Sequence, residues 1–474
     1  VSPVWKNHTG GQRCDPVEIV RPRTLEELVE LVNRAEQEGK TLRAAGARHS
    51  WSDIALTRGI MVEPDDLSSV ELADPAELRP ETDGSRLAWV GSGTHLSTLN
   101  PRLEELGLAL TNMGGYDAQT IAGVISTSTH GSGLAFGPFP DAVRSLELVA
   151  CRGRALRVEP ANGPTDPSKF AAPGVELVQD DERFAAAICG LGTLGLLYRV
   201  MLEVRERFWL KEVRTLSTWE KVRSTLTPEG VLGEPGHYEL FVNPYAGDDG
   251  EHRVLVTMRT DTPEPHDLPE DKLERHPLTE LESSLPITGV ILRFLARHLP
   301  SLIAGRFDSV LEGMTDDDYT NVSYKVFNIG EANALPADSM ELGIAVDGRH
   351  VEAVDRILKI AAERAKEGIY HTSPFSLRFV APSRAYASMM YEQPTMMIEL
   401  IMVTGSRGEL ALLYGYEEAL ADLGVRPHWG QFNALKPSQP PRLYPMWDRW
   451  MAVARDFNGS GVFSSPFTER VGIS

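Results

Sequence analysis

The chain has 474 residues, 42% of them apolar and 24% charged, with a formal charge of −20. Its length exceeds a usual single core and predicts two domains, and its composition is that of an ordinary soluble globular protein. The acidic balance argues against a nucleic-acid partner and against an anionic membrane as a main target.

Cys14, Cys151 and Cys189 are scattered, with no CxxC spacing. A disulfide framework or zinc ribbon is therefore not expected, and a reducing, cytoplasmic setting fits best. Histidines are sparse and no HxxxH pair occurs, so no metal site is predicted. Nothing near Val1 reads as a secretory leader.

In chain order, Thr24 with Glu27 three residues on forms a capping box. It opens a helix through LEELVELVNRAEQ that ends at Gly39, with KTLRAAG extended after it. The helix-then-strand step recurs in LNPRLEELGLALTN. RLAWVGSG, SLELVAC and YRVMLEV are strand-like, and a mixed α/β amino-terminal region follows. After about Arg205 the character changes to longer strands, HYELFVNPYAG, HRVLVTMRT and SMELGIAVDG, with a helix at VEAVDRILKIAAERAKEG. DTPEPHDLPEDKLERHP reads as a surface loop. Leu285 to Gly305 is the most membrane-like stretch. It carries Arg293, Arg297, His298 and two prolines, so a buried or interfacial helix is expected there rather than a membrane contact. The domains are placed at 1–205, 206–425 and a carboxy-terminal segment 426–474 that returns to the first.

GLGTLG, Gly190 to Gly195, matches GxGxxG in the wrong setting. A Rossmann turn needs a strand before and a helix after, whereas DERFAAAIC reads as helix and LLYRVMLEV as extended. More telling are three glycine-rich segments: GARHS at Gly46 to Ser50, VGSGT at Val90 to Thr94, and NMGGYDAQTIAGVISTSTHGSG at Asn112 to Gly133. Small residues, hydroxyls and one histidine over such a run suit a long polyanionic cofactor held by backbone amides.

With GARHS, QTIAGVISTSTHGSG, GLGTLGLLYRV and RPHWG in this order, the chain resembles the vanillyl-alcohol oxidase superfamily of flavoproteins, in its aldonolactone and alditol oxidase branch. The resemblance implies an α+β fold: an FAD-binding domain of two subdomains, of the PCMH type, and an α+β cap domain. It assigns FAD contacts to Gly46, Ala47, Arg48, His49 and Ser50, to Gly114, Gly115, Gly123, Ser126, Thr129, His130 and Gly131, to Gly195 and Leu196, and to His428. His49 occupies the position often bonded to the flavin 8α-methyl, a bond that raises the flavin potential.

The resemblance further implies oxidation of a CH–OH group by hydride transfer to flavin N5, with oxygen reduced to hydrogen peroxide. A cytochrome or quinone acceptor is the alternative. Relatives carry Glu-x-Arg on a cap strand and Lys after His-Trp-Gly; here Ser376 and Gln431 replace the Glu and the Lys, while Arg378 remains. Arg378 is the candidate for orienting an oxygen and steadying negative charge. His428 is a candidate proton acceptor or a structural histidine. Glu399, an acid in the alternating run TMMIELIMVTG, shares a face with Ile401 and is the candidate relocated base, or else a partner of Arg378. Glu341 is a weaker candidate. Gly114 aligns with the small residue flanking flavin C4a, where an open path would admit oxygen, although a positive-φ turn would equally select glycine. The substrate is a small molecule: a lactone, a polyol or a bulkier alcohol such as a sterol.

Overall fold

The computed structural model describes residues 3–266, 289–315, 318–329 and 337–473. The surface-loop expectation beyond residue 266 and the start of the 285–305 stretch lie outside them.

The first helix, Leu25–Gln37, begins as predicted, with the Thr24 hydroxyl accepting from the Glu27 N–H. The reciprocal half differs: the Glu27 carboxylate accepts from the N–H of Arg23, not Thr24, at 2.6 Å. One face of the helix covers a three-stranded parallel sheet in the order Glu18–Val20, Ile60–Val62, Leu42–Ala44. A six-stranded sheet follows, in the order Val175–Gln179, Arg154–Glu159, Val143–Ala150, Leu196–Glu203, Leu87–Gly91, Val70–Leu72. Only its outermost pair, Arg154–Glu159 with Val175–Gln179, is parallel.

The GLGTLG segment does join the helix Asp181–Ala187 to the strand Leu196–Glu203, the reverse of a dinucleotide turn. It receives a cation instead. The fully buried Arg43 donates to the carbonyls of Leu191 at 2.7 Å, Gly192 at 2.9 Å and Ile54 at 2.5 Å. Leu191 and Gly192 turn these carbonyls inward by adopting φ of 52° and 64°. Burial lowers the Arg43 pKa to about 10, which still leaves it charged at neutral pH. This guanidinium locks the small sheet to the turn before the large one.

The cap is one antiparallel sheet of eight strands. Its order is Tyr319–Val322, Trp209–Thr218, Arg253–Thr262, His237–Val242, Phe375–Val380, Thr395–Val403, Ala337–Ala345, Arg426–Pro427. Period-two alternation divides its faces. Leu240, Leu377, Ile398, Leu400 and Leu342 pack beneath the helices Arg349–Lys366 and Glu409–Ala419. The opposite face carries Glu239, Arg378, Glu399 and Glu341 toward the other sheets. The carboxy-terminal segment thus starts as an edge strand of the cap sheet, at Arg426–Pro427, before its aromatic side chains Trp429, Tyr444, Trp447 and Trp450 join the core shared with the six-stranded sheet.

In the 285–305 stretch two short helices occur, Gly289–His298 and Pro300–Ala304; Phe294 and Leu302 on them and Leu299 between them are exposed. Among the described residues no helix is long and apolar enough to cross a membrane.

Replacing Arg43 by Met keeps most of the volume but removes the donor to three buried carbonyls, leaving only Leu191 O with another, the Thr193 hydroxyl at 3.4 Å. At about 1–3 kcal/mol for each unsatisfied group, Arg43→Met should cost about 3 kcal/mol or more. The check is a urea melt followed by tryptophan fluorescence; an unchanged midpoint would mean the turn is held by other contacts.

Candidate active site

A cavity of about 660 Å³ separates the two sheet systems. One wall is the turn after Leu42–Ala44. Ala45 still donates to Val62 O, but Gly46, Ala47, Arg48, His49 and Ser50 have no acceptor for their amides among the described residues. Gly46 is required by contact: a Cβ there would stand 2.3 Å from Thr120 Oγ1. Arg48 sits at φ 64° and directs its side chain to Glu63, so it contributes backbone rather than charge to the cavity. An amino-terminal hairpin clamps the turn from outside, with Asn7 donating to Ser50 O at 3.1 Å and His8 N–H to Arg48 O at 3.0 Å.

The His49 ring stacks on His8, centroids 4.7 Å apart. Burial, with His8 and His95 adding to it, lowers the His49 pKa to about 4. His49 is therefore a neutral imidazole at working pH. The carboxy-terminal RPHWG turn meets the same loop: Gly430 O accepts from the amides of Trp51 at 2.7 Å and Ser52 at 3.3 Å, and Ser52 Oγ donates to Trp429 O at 2.6 Å. Two motifs nearly four hundred residues apart in sequence thus form one wall.

Gly114, Gly115, Gly123, Ser126, Thr129 and His130 line the cavity, as do Gly195 and Leu196. Gly131 does not. A Cβ there would lie 2.1 Å from Asn112 Oδ1, so packing explains that glycine. Gly114 is outside the positive-φ set, which removes the turn explanation for it; a Cβ would meet only His130 O at 3.3 Å and Thr129 Cγ2 at 3.7 Å. Ser92 Oγ and Gln119 Oε1 are buried on this wall without a partner among the described residues. Ser92 was legible only as part of the VGSGT segment. The volume, the free amides and these orphaned polar atoms fit a dinucleotide with its phosphates on backbone donors.

The facing wall is the polar face of the cap sheet. Arg378 Nε donates to Glu239 at 2.8 Å and Nη1 to Glu399 at 3.0 Å. Glu399 stands directly across from Ser376 on one side and Glu341 on the other. Ser376 does not reach the cavity; its hydroxyl turns to Glu239 at 3.4 Å. Glu239 is a site residue that sequence reasoning missed. Burial raises the Glu399 pKa, and Glu341 and Glu239 add to it, against the pull of Arg378. Burial also opposes the charge on Glu341, but His130, His428 and Arg378 outweigh it and hold this carboxyl well below the usual range.

His130 donates from Nδ1 to Gly131 O at 2.9 Å, and its Nε2 lies 3.2 Å from Glu341. His428 Nδ1 accepts from Gly430 N–H at 3.0 Å. A neutral His428 therefore carries its proton on Nε2 and acts as a donor, which corrects its candidacy as proton acceptor. Burial keeps it neutral, with a pKa of about 4. Gln431 lines the cavity, and its Oε1 has no partner among the described residues. Ile401 also faces in, on the face it shares with Glu399. Among the described residues no His, Cys, Asp and Glu cluster could hold a metal.

Comparison with known proteins agrees with this geometry. A family described as an FAD binding domain matches residues 16–159. A second, D-arabinono-1,4-lactone oxidase, matches residues 200–471. The chain is 29% identical over 477 residues to L-gulono-1,4-lactone dehydrogenase of Mycobacterium tuberculosis, covering 99% of each. It is 27% identical to alditol oxidase of a Streptomyces species, covering 97% of each. It is 24% identical to L-gulonolactone oxidase of Bos taurus, over 97% of this chain and 96% of that one. Among solved structures, cholesterol oxidase from Brevibacterium sterolicum superposes with a TM-score of 0.73 at 14% identity, covering 99% of this chain and 97% of that one, which shows the shared fold. The chain belongs to the D-arabinono-1,4-lactone oxidase family and is an FAD-dependent oxidoreductase of CH–OH groups.

Proposed function

We propose that the chain oxidises the CH–OH group of a lactone, polyol or other small alcohol and passes the electrons to oxygen, releasing hydrogen peroxide. The observation that carries this reading is the Arg378–Glu399 pair on the cavity wall, facing the turn that presents His49. Bound FAD supplies the hydride acceptor. Glu399 takes the hydroxyl proton, a task suited to a carboxylate whose pKa is raised by burial. Arg378 Nη2, which has no acceptor among the described residues, orients the alcohol oxygen and steadies the negative charge that develops. His428 adds a donor from Nε2. Glu341 stays ionised against His130 and leaves the proton transfer to Glu399.

His49 is the proposed attachment point of the flavin, since its neutral ring keeps a lone pair for bonding. The name of the Mycobacterium tuberculosis relative favours a second reading, a dehydrogenase with another electron acceptor.

After acid precipitation the yellow colour should stay with the wild-type protein and be released by His49→Ala; free FAD in the wild-type supernatant would rule out the covalent link.

Arg378→Ala should lower kcat/KM roughly a hundredfold or more, the scale of losing one electrostatic stabiliser. Glu399 must be deprotonated to act, so activity should fall as pH drops through its raised pKa. Glu399→Gln should slow flavin reduction and abolish that acidic limb. Reduction at the wild-type rate would transfer the proton to water or Glu341.

Reduced wild-type enzyme should reoxidise rapidly when mixed with oxygen in a stopped-flow instrument, with Gly114→Val slower. Slow wild-type reoxidation with no change in the variant would favour the dehydrogenase.

A further inference from the structure

The cap sheet carries a row of buried charges that runs far beyond the cavity. Arg214 pairs with Glu212; Glu212 accepts from Arg259 Nε at 2.7 Å; Arg259 Nη1 reaches Glu239 at 3.0 Å; and Glu239 accepts Arg378 Nε at 2.8 Å. Arg378 Nη1 then closes on Glu399 at 3.0 Å. The register explains the zigzag. Glu212 is directly opposite Arg259, and Glu239 directly opposite Arg378, while Arg259 and Glu239 are diagonal, as are Arg378 and Glu399. Diagonal neighbours on one sheet face are within reach of long side chains.

Glu239 is the hinge of this row. It is buried, stands behind the cavity wall rather than lining it, and binds two guanidinium groups, those of Arg259 and the wall residue Arg378. Arg378 would otherwise be free to swing on its flexible stem. With Nε taken by Glu239 and Nη1 by Glu399, the fork is fixed and only Nη2 remains. An ideal Cβ at Gly115, a cavity-lining residue, would stand 3.8 Å from that nitrogen.

We propose that Glu239 is a positioning residue for the reaction, holding Arg378 from behind so that Nη1 meets Glu399 and Nη2 faces the substrate oxygen. Its carboxylate also repels Glu399 through the shared guanidinium and occupies part of the cation that would otherwise stabilise ionised Glu399 alone. The groups that face Glu399 are Arg378 and Glu239 from one side, Glu341 from the other, and His130 from the elements packed on the sheet, while His428 acts on Glu341. Removing the charge of Glu239 therefore makes Glu399 more acidic. The kinetic consequence rests on the proposal that Glu399 is the base; the protonation consequence does not.

The test compares wild-type holoenzyme with Glu239→Gln by two readouts. The first is an infrared titration of the carboxylic acid C=O band that disappears in Glu399→Gln. Its midpoint should fall by about one pH unit in Glu239→Gln, the low end for losing a nearby like charge. The second is kinetic: the acidic limb of kcat/KM should move down by the same amount, while kcat falls roughly tenfold or more because Arg378 is no longer fixed. An infrared midpoint that does not move overturns the proposal, however low the activity, because a merely structural residue would lower activity and leave the titration alone. A moved midpoint without a moved kinetic limb retains the placement of Glu239 and removes Glu399 as the base. Should Glu239→Gln fail to fold, Glu239→Asp keeps the charge at shorter reach. It should hold the wild-type midpoint with reduced kcat, and full wild-type kcat in that variant overturns the proposal.

Discussion

The structure of the substrate wall depends on a ribbon of alternating charge, Arg214, Glu212, Arg259, Glu239, Arg378 and Glu399, laid across five neighbouring strands. Each buried ion alone would cost several kcal/mol, and only close pairing with the next makes the row tolerable. The consequence is rigidity of a particular kind. None of the four inner members can move without breaking two ion pairs, so the guanidinium near the cavity inherits the fixed geometry of the sheet. A site that must hold an alcohol oxygen within a fraction of an ångström gains from such a mounting. The opposite face of the strands that carry Glu239, Arg378 and Glu399 is apolar and packed beneath two helices, which keeps water from competing for that end of the row from behind.

The cofactor wall is built on a different principle. Its donors are backbone amides left over by a turn, and they become a wall because three distant pieces of chain converge on it. The amino-terminal hairpin holds the carbonyls of Arg48 and Ser50; Gly430 takes the amides just beyond; Arg43, one residue before the strand ends, anchors the glycine turn at Gly192. Backbone donors suit a long anionic ligand because they need no side-chain entropy to be frozen. They also leave the ring of His49, which lines the cavity, unburdened by the phosphates.

What could be read from the sequence follows from which contacts are local. The alternation in TMMIELIMVTG placed Glu399 and Ile401 on one face, and that face does line the cavity. GARHS and RPHWG were recognisable as motifs, and their meeting through Gly430 and Trp51 is the physical reason both kinds of residue lie at one site. Glu239 was invisible although HYELFV alternates just as clearly. Its importance depends on lying beside Arg378, and the neighbours in this sheet are out of sequence order, so no local pattern reveals the pairing. Ser376 stands beside Glu399 on the next strand, but its hydroxyl follows Glu239 and does not line the cavity, an orientation that no local pattern reveals. GLGTLG was rightly set aside as a dinucleotide turn, yet its partner Arg43 lies some hundred and fifty residues earlier and could not be inferred.

The exchange of acid between strands is the point at which these lines meet. Relatives place a Glu two residues before the arginine, and here that position is Ser376. Its direct cross-strand neighbour is Glu399. Directly opposed Cβ atoms in an antiparallel pair are only about 5 Å apart. A carboxylate can therefore leave one strand and reappear on the next while remaining within reach of the same guanidinium, so the change conserves charge in the row. Serine at the vacated position is small enough to admit the new side chain and polar enough to bond to Glu239. The lysine replaced by Gln431 has no such substitute nearby, and the cavity loses one cation there. The acid at Glu399 keeps a carboxylate beside Arg378 within the wall, so the guanidinium is still held from both sides, by Glu239 and by Glu399.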